Sequence, residues 1–455
     1  MNKTLLLKNA RLIATMDDQQ AEIADGSILI RGNRIEAVGS AAELPTSADR
    51  VIDMSGHILL PGLINTHHHM FQSLTRVLPA AQDAELFDWL TALFPVWQNI
   101  TPAMQRAATR TAMAELMLSG CTTAADHAYL YVNGTRLDDS VRAAQEMGMR
   151  FHAARGAMSL GQSQGGLPPD ALVEQDEQAI LREMQRVIEA LHDASPDAMV
   201  RVALAPCSPF TVTTDLMREA ASLARCYGVG LHTHTAENSK DLAFSKERYG
   251  MTPTEYTESV GWVGADVWHA HCVHLDEPGI ALFARTGTGV AHCPCSNMRL
   301  ASGIAPIRRM RDAGVKVGLG VDGSASNDSN HLLDEARLAM LSARVRDQNP
   351  SAMTAREALF IATRGGAEVL GRDDVIGRLA PGYCADIIAF GTDDISMAGA
   401  QSDPLAALVF CTPPRVAHSF INGRQVIDQG QLLTRELPLI IEEHNRLALE
   451  LLQGR

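Results

Sequence analysis

Residues 199–237 read MVRVALAPCSPFTVTTDLMREAASLARCYGVGLHTHTAE, and their pattern decides the fold. MVRVALAPC is a short apolar run, TTDLMREAASLARCYG is an amphipathic helical stretch, and VGLHTHTAE is a second strand that ends on His232, His234 and Glu237. Strand, helix, strand over this length implies two parallel strands joined by a crossover helix. The same unit recurs on both sides. TPAMQRAATRTAMAELMLSG leads into CTTAADH, DEQAILREMQRVIEALHD leads into MVRVALAPC, and DVWHAHCV, GTGVAHCPCS and VKVGLGVDGS follow with helices between them. From about Pro61 to about Gly371 the strands are LINTHHH, TTAADH, RFHAARGAM, VRVALAP, VGLHTHTAE, DVWHAHC, GVAHCPCS and KVGLGVD. Eight is the number that closes a (β/α)₈ barrel. An open doubly wound sheet is disfavoured, because no Gly-rich phosphate loop joins a strand to a helix.

The ends of the chain have another texture. LLLKNARLIA, SILIRGNRIEAVG and RVIDMSGHILL alternate with turn residues, and RGNR between two such runs signals a hairpin. ADIIAFGT and HSFINGRQVIDQG repeat the pattern near the C-terminus, with Asn422-Gly423 as another tight turn. The expected organisation is a metal-dependent barrel over 61–371 and a small β-sandwich built from residues 1–60 and 372–455, the latter including a terminal helix.

Composition narrows the function. Hydrophobic residues are 46% and charged residues 20% of the 455, ordinary for a globular chain. No apolar run approaches the roughly 20 residues of a membrane span. The N-terminus lacks a signal-peptide cleavage site and reads as a strand, so a cytoplasmic location is expected. The net charge of −14 and the absence of a basic run argue against nucleic acid and for a small-molecule substrate. The eight cysteines are scattered apart from Cys293 and Cys295, which suits reduced thiols better than a disulfide framework.

The informative residues sit where strands end. In a strand, alternate side chains share a face, so His67 and His69 of LINTHHH point together and His68 points away. HTHTAE adds His232, His234 and Glu237, VWHAHCVH adds His269, His271 and His274, and GLGVDGSASND adds Asp322. Barrel enzymes place their chemistry at this end of the strands. A lone strand histidine is ordinarily a packed core residue. His-x-His followed by His on a later strand and Asp on the last is a metal site. Histidines and a carboxylate suit zinc, and ferrous iron or manganese fits similar ligands. The fourth strand, VRVALAP, has neither Lys nor Glu to bridge a second ion, so one divalent metal ion is expected. His68, His232, His269, His274 and His292 are read as packing or as hydrogen-bond support.

PGLINTHHH, HTHTAE, HAHCV and GLGVDGSASN occur in this order, framed by LPGLIN and IGRLAPGYCADIIAF. The chain thereby resembles the amidohydrolase superfamily along essentially its whole length, in the branch of cytosine, guanine, S-adenosylhomocysteine and triazine deaminases. The resemblance implies that His67, His69, His234 and Asp322 hold the metal. It implies that Glu237, His271 and Asp322 are catalytic, acting as proton shuttle, oxygen-stabilising group and base respectively. By analogy with relatives it also implies a homo-oligomer.

HHHMFQSLTR and LAPCSPFTV look like the group that deaminates 8-oxoguanine to uric acid and ammonia. Guanine, pterin or triazine aminohydrolase or chlorohydrolase activity is the alternative. Cys207 stands where S-adenosylhomocysteine deaminases typically carry His, which disfavours a ribose-bearing substrate. Gln72 has both a donor and an acceptor for a purine edge, and Arg155 has a cation for a ring oxygen. Trp97 is a candidate to stack on the substrate, with Trp89 assigned to the core. Ring-amide hydrolysis and a non-catalytic binding role are the remaining classes. The first usually needs two metals and a modified Lys, and the second would not require Glu237, His271 and Asp322 together.

Overall fold

The computed structural model describes residues 3–454. Met1, Asn2 and Arg455, the outermost residues of the expected terminal ranges, lie outside them. Eight parallel strands close a barrel: Leu63–Asn65, Cys121–Ala128, Arg150–Ala157, Val200–Pro206, Gly230–Thr235, Val267–His271, Gly289–His292 and Lys316–Leu319. Each pairs with its neighbours in sequence, and Leu319 against Asn65 closes the ring. The interior is filled by small side chains, Ala125, Ala154, Ala203, Ala205 and Ala291, around Ile64 and Trp268. The barrel is therefore a packed core, and its chemistry is confined to the rim. Trp268 is anchored by its indole N–H on the carbonyl of Thr66, 3.1 Å away.

The strands of both termini form one nine-stranded sheet. Along its hydrogen-bonded path run Gln431–Leu432, Arg424–Asp428, His418–Ile421, Ile387–Gly391, His57–Pro61, Thr4–Ala14, Glu22–Arg31 and Arg34–Ser40, while Arg50–Asp53 pairs off this path with Thr4–Ala14. The long first strand breaks register between Leu7 and Ala10, where Asn9 has φ of 63°. That bulge lets its two halves pair with different partners, Arg50–Asp53 and then His57–Pro61. Asn422 and Gly423, with φ of 50° and 77°, make the tight turn between two of the last strands.

The sheet meets the base of the barrel through a buried ion pair. Arg150 donates from Nε and Nη2 to Asp386 at 2.9 and 3.1 Å, and Asp386 also accepts from the backbone of Asn422 at 2.6 Å. The last helix, Leu437–Leu452, leaves the sheet and packs on the barrel side. His444 there reaches the carbonyl of Ser73 at 3.0 Å, and Leu447 and Leu451 join the apolar cluster of the helix Leu86–Trp97. That helix roofs the rim of the barrel.

Candidate metal centre and active site

His67 and His69 lie just beyond the first barrel strand, but ladder-like bonds continue past its end. The amide of Asp322 donates to the carbonyl of His67 at 3.1 Å. This places His67, His69 and Asp322 side by side while His68 turns away into a buried position. His127, His234 and His271 come to the same point from the second, fifth and sixth strands. Ala236, His271 and Asp322 adopt left-handed backbone with φ of 53°, 69° and 62°. Such conformations cost non-glycine residues of order 1–3 kcal/mol, and they concentrate where strand ends turn side chains into a site.

Hydrogen bonds fix which ring nitrogens are free. His69 Nδ1 donates to the carbonyl of His127 at 2.7 Å, and His234 Nδ1 to the carbonyl of Cys207 at 2.6 Å. His232 Nδ1 donates to the carbonyl of Trp268 at 2.9 Å, so its Nε2 is an acceptor and receives the Nδ1 proton of His67 at 2.7 Å. All three Nε2 atoms are thus bare lone pairs. Burial pushes His67 well below its ordinary pKa, lowers His69 and takes His234 to about 3, so extra protons are disfavoured.

These lone pairs converge. His69 Nε2 is 3.1 Å from His234 Nε2, and Asp322 Oδ1 is 3.1 Å from His67 Nε2 and 3.4 Å from His69 Nε2. His67 Nε2 and Asp322 Oδ1 are buried and have no hydrogen-bond partner. Such crowding is repulsive without a cation, and the separations are those of ligands around one small ion with bonds of about 2.0–2.1 Å. The residues fit a divalent metal ion. His127 belongs to the same cluster; its Nε2 donates to the carbonyl of Ala205 at 2.7 Å and its Nδ1 has no partner.

The other oxygen of Asp322 is held separately. Oδ2 accepts from Ser296 Oγ at 2.6 Å and from Ser326 Oγ at 3.1 Å. His271 Nδ1 bonds Asn297 Oδ1 at 2.9 Å, and its Nε2 lies 3.6 Å from Glu237 Oε2 and 3.9 Å from Asp322 Oδ2. Burial opposes a charge on His271, but the two carboxylates outweigh it and raise its pKa. Burial pushes Glu237 up to about 7 against the pull of His271. A carboxyl that burial pushes up to about 7 and an imidazole whose pKa is raised by two carboxylates therefore stand beside the metal cluster.

A pocket of about 530 Å³, including its open mouth, rises from these groups. Its floor is His69, His234, Glu237, His271 and Asp322, its roof is Leu86, Trp89, Leu90 and Phe94, and Gln72, Tyr129, Met158, Cys207 and Phe210 line its sides. Gln72 donates to the Tyr129 hydroxyl at 3.2 Å, and its Oε1 is buried without a partner. Gly323 makes room for that amide: a Cβ there would stand 1.8 Å from Gln72 Oε1. Burial pushes Cys207 up to about 12, so it is a thiol.

Two of the residues expected around the substrate are elsewhere. Arg155 does not line the pocket. Its guanidinium lies 3.7 Å over the Tyr131 ring, donates to the carbonyl of Gly156, and grips Glu174 at 2.9 and 3.0 Å. It pins the segment that returns through Glu174, outside the pocket lining. Trp97 is fully buried, donates to Thr75 Oγ1 at 3.1 Å and packs edge-on against Phe71, so Trp89 is the pocket-lining indole. Trp89 is anchored through its N–H on the carbonyl of Ala325 at 3.1 Å. Sequence reasoning passed over Tyr129, His127, Ser296, Asn297 and Ser326. The last four sit next to or within the quoted motifs, and their nearness to His and Asp was the available signal.

Comparison with known proteins agrees with this geometry. The amidohydrolase family model matches residues 58–426. The 8-oxoguanine deaminase of Pseudomonas aeruginosa is 42% identical over 450 residues, covering 98% of this chain and 99% of that one. An isoxanthopterin deaminase from an unknown prokaryotic organism is 35% identical over 473 residues, covering 98% and 97%. Among solved structures, an atrazine chlorohydrolase from Arthrobacter aurescens TC1 complexed with zinc superposes with a TM-score of 0.92 at 36% identity, covering 98% of this chain and all of that one.

Proposed function

The chain belongs to the amidohydrolase family, and on that premise we propose that it is a zinc-dependent aminohydrolase that converts 8-oxoguanine to uric acid and ammonia. The observation that carries the metal-dependent part is the convergence of the bare Nε2 atoms of His67 and His69 on Asp322 Oδ1, with the bare Nε2 of His234 against that of His69. The likeness to the Pseudomonas aeruginosa 8-oxoguanine deaminase supports the substrate. In this reading His67, His69, His234 and Asp322 hold one divalent ion, which lowers the pKa of water so that a nucleophile forms near neutral pH.

The chain's own groups then divide the proton transfers. Asp322, fixed at Oδ2 by Ser296 and Ser326, takes the proton of the attacking water. Glu237, protonated near neutrality because it is buried, gives its proton to the ring nitrogen beside the amino-bearing carbon. His271 is anchored by Asn297 and faces both carboxylates, so it stabilises the oxygen as negative charge develops there. The proton collected from water passes to the amino group, which leaves as ammonia, while the remaining hydroxyl proton returns to Glu237 and the ring carbon becomes a carbonyl.

Substrate recognition falls to the pocket's sides. Gln72 and Tyr129, hydrogen-bonded to one another, offer a donor and an acceptor side by side to a heterocycle edge. Trp89 and Phe94 close over the ring, and the compact Cys207 thiol, buried and un-ionised, is itself a poor polar partner for a sugar. Competition kinetics with 8-oxoguanine, guanine and adenosine test this reading. It predicts that 8-oxoguanine is used with the highest kcat/KM and that adenosine is poor. A group that reads the oxo-substituted imidazole edge should discriminate by about ten- to a hundredfold. Equal use of guanine, or preference for adenosine, would remove the substrate assignment and leave the deaminase chemistry.

Two wider features complete the reading. We place the enzyme in the cytoplasm, a reducing compartment that suits eight free cysteines, one of them exposed. We also expect a homo-oligomer, because Ile441, Leu449 and Leu452 of the last helix are exposed apolar side chains; light scattering measures it. No helix among the described residues is long and apolar enough to cross a membrane.

A further inference from the structure

Behind the metal cluster, away from the pocket, a carboxylate is buried without a cationic partner. Glu335, in the first turn of the helix Leu332–Asp347, is 2% exposed, and no Lys or Arg pairs with it among the described residues. Burial pushes this carboxyl group up to about 8, and such a group is costly to bury unless hydrogen bonds satisfy it. Its bonds go to two different loops. Oε2 accepts from the backbone N–H of Cys295 at 3.0 Å, and Oε1 accepts from Asn327 Nδ2 at 2.8 Å. Asn327 Nδ2 also donates to the carbonyl of Val321 at 2.6 Å. Two acceptors on one nitrogen fix the orientation of that amide.

Each loop carries groups that hold the proposed chemistry. Cys295 lies in the helix Pro294–Arg299 after the seventh barrel strand, with Ser296 and Asn297 beside it. Val321 to Asn327 follow the eighth strand and include Asp322 and Ser326. Ser296 Oγ reaches across from one loop to the other, 2.6 Å from Asp322 Oδ2 and 3.0 Å from Ser326 Oγ, and Asn297 anchors His271. We infer that Glu335 is a positioning residue, a clamp between the loops after the seventh and eighth strands that keeps Ser296 on Asp322 and Asn297 on His271. The inference rests on the reading that Asp322 and His271 serve the reaction.

An apolar side chain of similar size would stabilise the fold as well as or better than a buried carboxyl group with no cationic partner. A clamp needs both oxygens. Glutamine keeps the shape but turns an amide N–H₂ toward one of the two N–H donors, opening half of the clamp. Small misplacements of reacting groups cost on the order of 10²-fold in rate.

The test is a double-variant cycle of Glu335→Gln with Ser296→Ala, read by kcat, KM, zinc affinity from chelator competition, and Tm. Glu335→Gln should lower kcat by about ten- to a hundredfold with KM within about threefold. The double variant should lose less than the product of the two single losses, in kcat and in zinc affinity alike, because the two substitutions share the Ser296–Asp322 contact. Near-normal kcat and zinc affinity in Glu335→Gln, or losses that multiply in the double variant, would overturn the clamp. If Glu335→Gln does not fold, Asn327→Ala opens the Oε1 half alone and enters the same cycle. If the wild-type protein released no ammonia from any amino-heterocycle, the proposed function would fail, while the zinc-affinity cycle would still decide the clamp.

Discussion

The Nε2 atoms of His69 and His234 face one another at 3.1 Å with no proton between them. Each ring has already committed its proton to a backbone carbonyl, His69 to His127 and His234 to Cys207. Two imidazole lone pairs at this distance repel unless a cation receives both. The backbone at the strand ends therefore prepares the ligands, and the same logic extends one step further to His67 through His232.

His232 is the acceptor that fixes the tautomer of His67. Replacing it with Leu leaves the Nδ1 proton of His67 buried and unpaired. We expect His232→Leu to weaken zinc binding by about ten- to a hundredfold, the usual cost of removing a group that orients a metal ligand. Chelator competition measures it, and unchanged affinity would mean that His67 is oriented by packing alone.

Glu237→Gln should keep the metal and lose about 10²-fold or more in kcat, because the amide cannot donate and recover a carboxyl proton. Elemental analysis beside steady-state kinetics checks both halves. A variant with near-normal turnover would return Glu237 to a buried polar residue without a catalytic role.

Gly323→Ala should damage recognition and spare the metal site. The new Cβ would stand 1.8 Å from Gln72 Oε1, so the Gln72 amide must leave its seat beside Tyr129. A drop in kcat/KM of about tenfold or more, with zinc content unchanged, is the expected outcome. Wild-type kcat/KM would show that Gln72 does not read the substrate.

Much of this was legible in the chain before the fold was known. The barrel strands are apolar runs bounded by helices, and their ends carry His67, His69, His234, Glu237, His271 and Asp322, so period and position spoke together. Arg155 misled because it also lies on a barrel strand; only the return of the chain at Glu174, nineteen residues later, shows where its guanidinium is spent. Trp89 and Trp97 lie on the same helix, two turns apart, and both are apolar and buried. Which of them meets the pocket depends on how the helix is seated against Phe71 and Ala325, a tertiary fact with no local signal. Ser296, Asn297 and Glu335 act across loops, where side-chain direction follows no period.

Asp126 gives a stability test that depends on pH. It is buried, its Oδ1 accepts from the Met70 amide at 2.8 Å, its Oδ2 has no partner, and burial pushes it up to about 7. A carboxyl whose folded pKa is raised favours folding while protonated. Its contribution is complete below the unfolded value near 4 and is lost as pH rises through about 7. The wild type should thus lose on the order of a few kcal/mol relative to Asp126→Asn between about pH 4 and pH 7, with little further change above. Denaturant unfolding of both proteins across this range measures it, and parallel curves would show that Asp126 stays ionised in the fold.

The most direct test of the central claim is a zinc titration of metal-free protein, following ammonia and uric acid formed from 8-oxoguanine. The account predicts that both products appear together, that activity rises linearly, and that it stops rising at one ion per chain. Turnover that is indifferent to zinc and chelator, or that requires a second ion per chain, would contradict it.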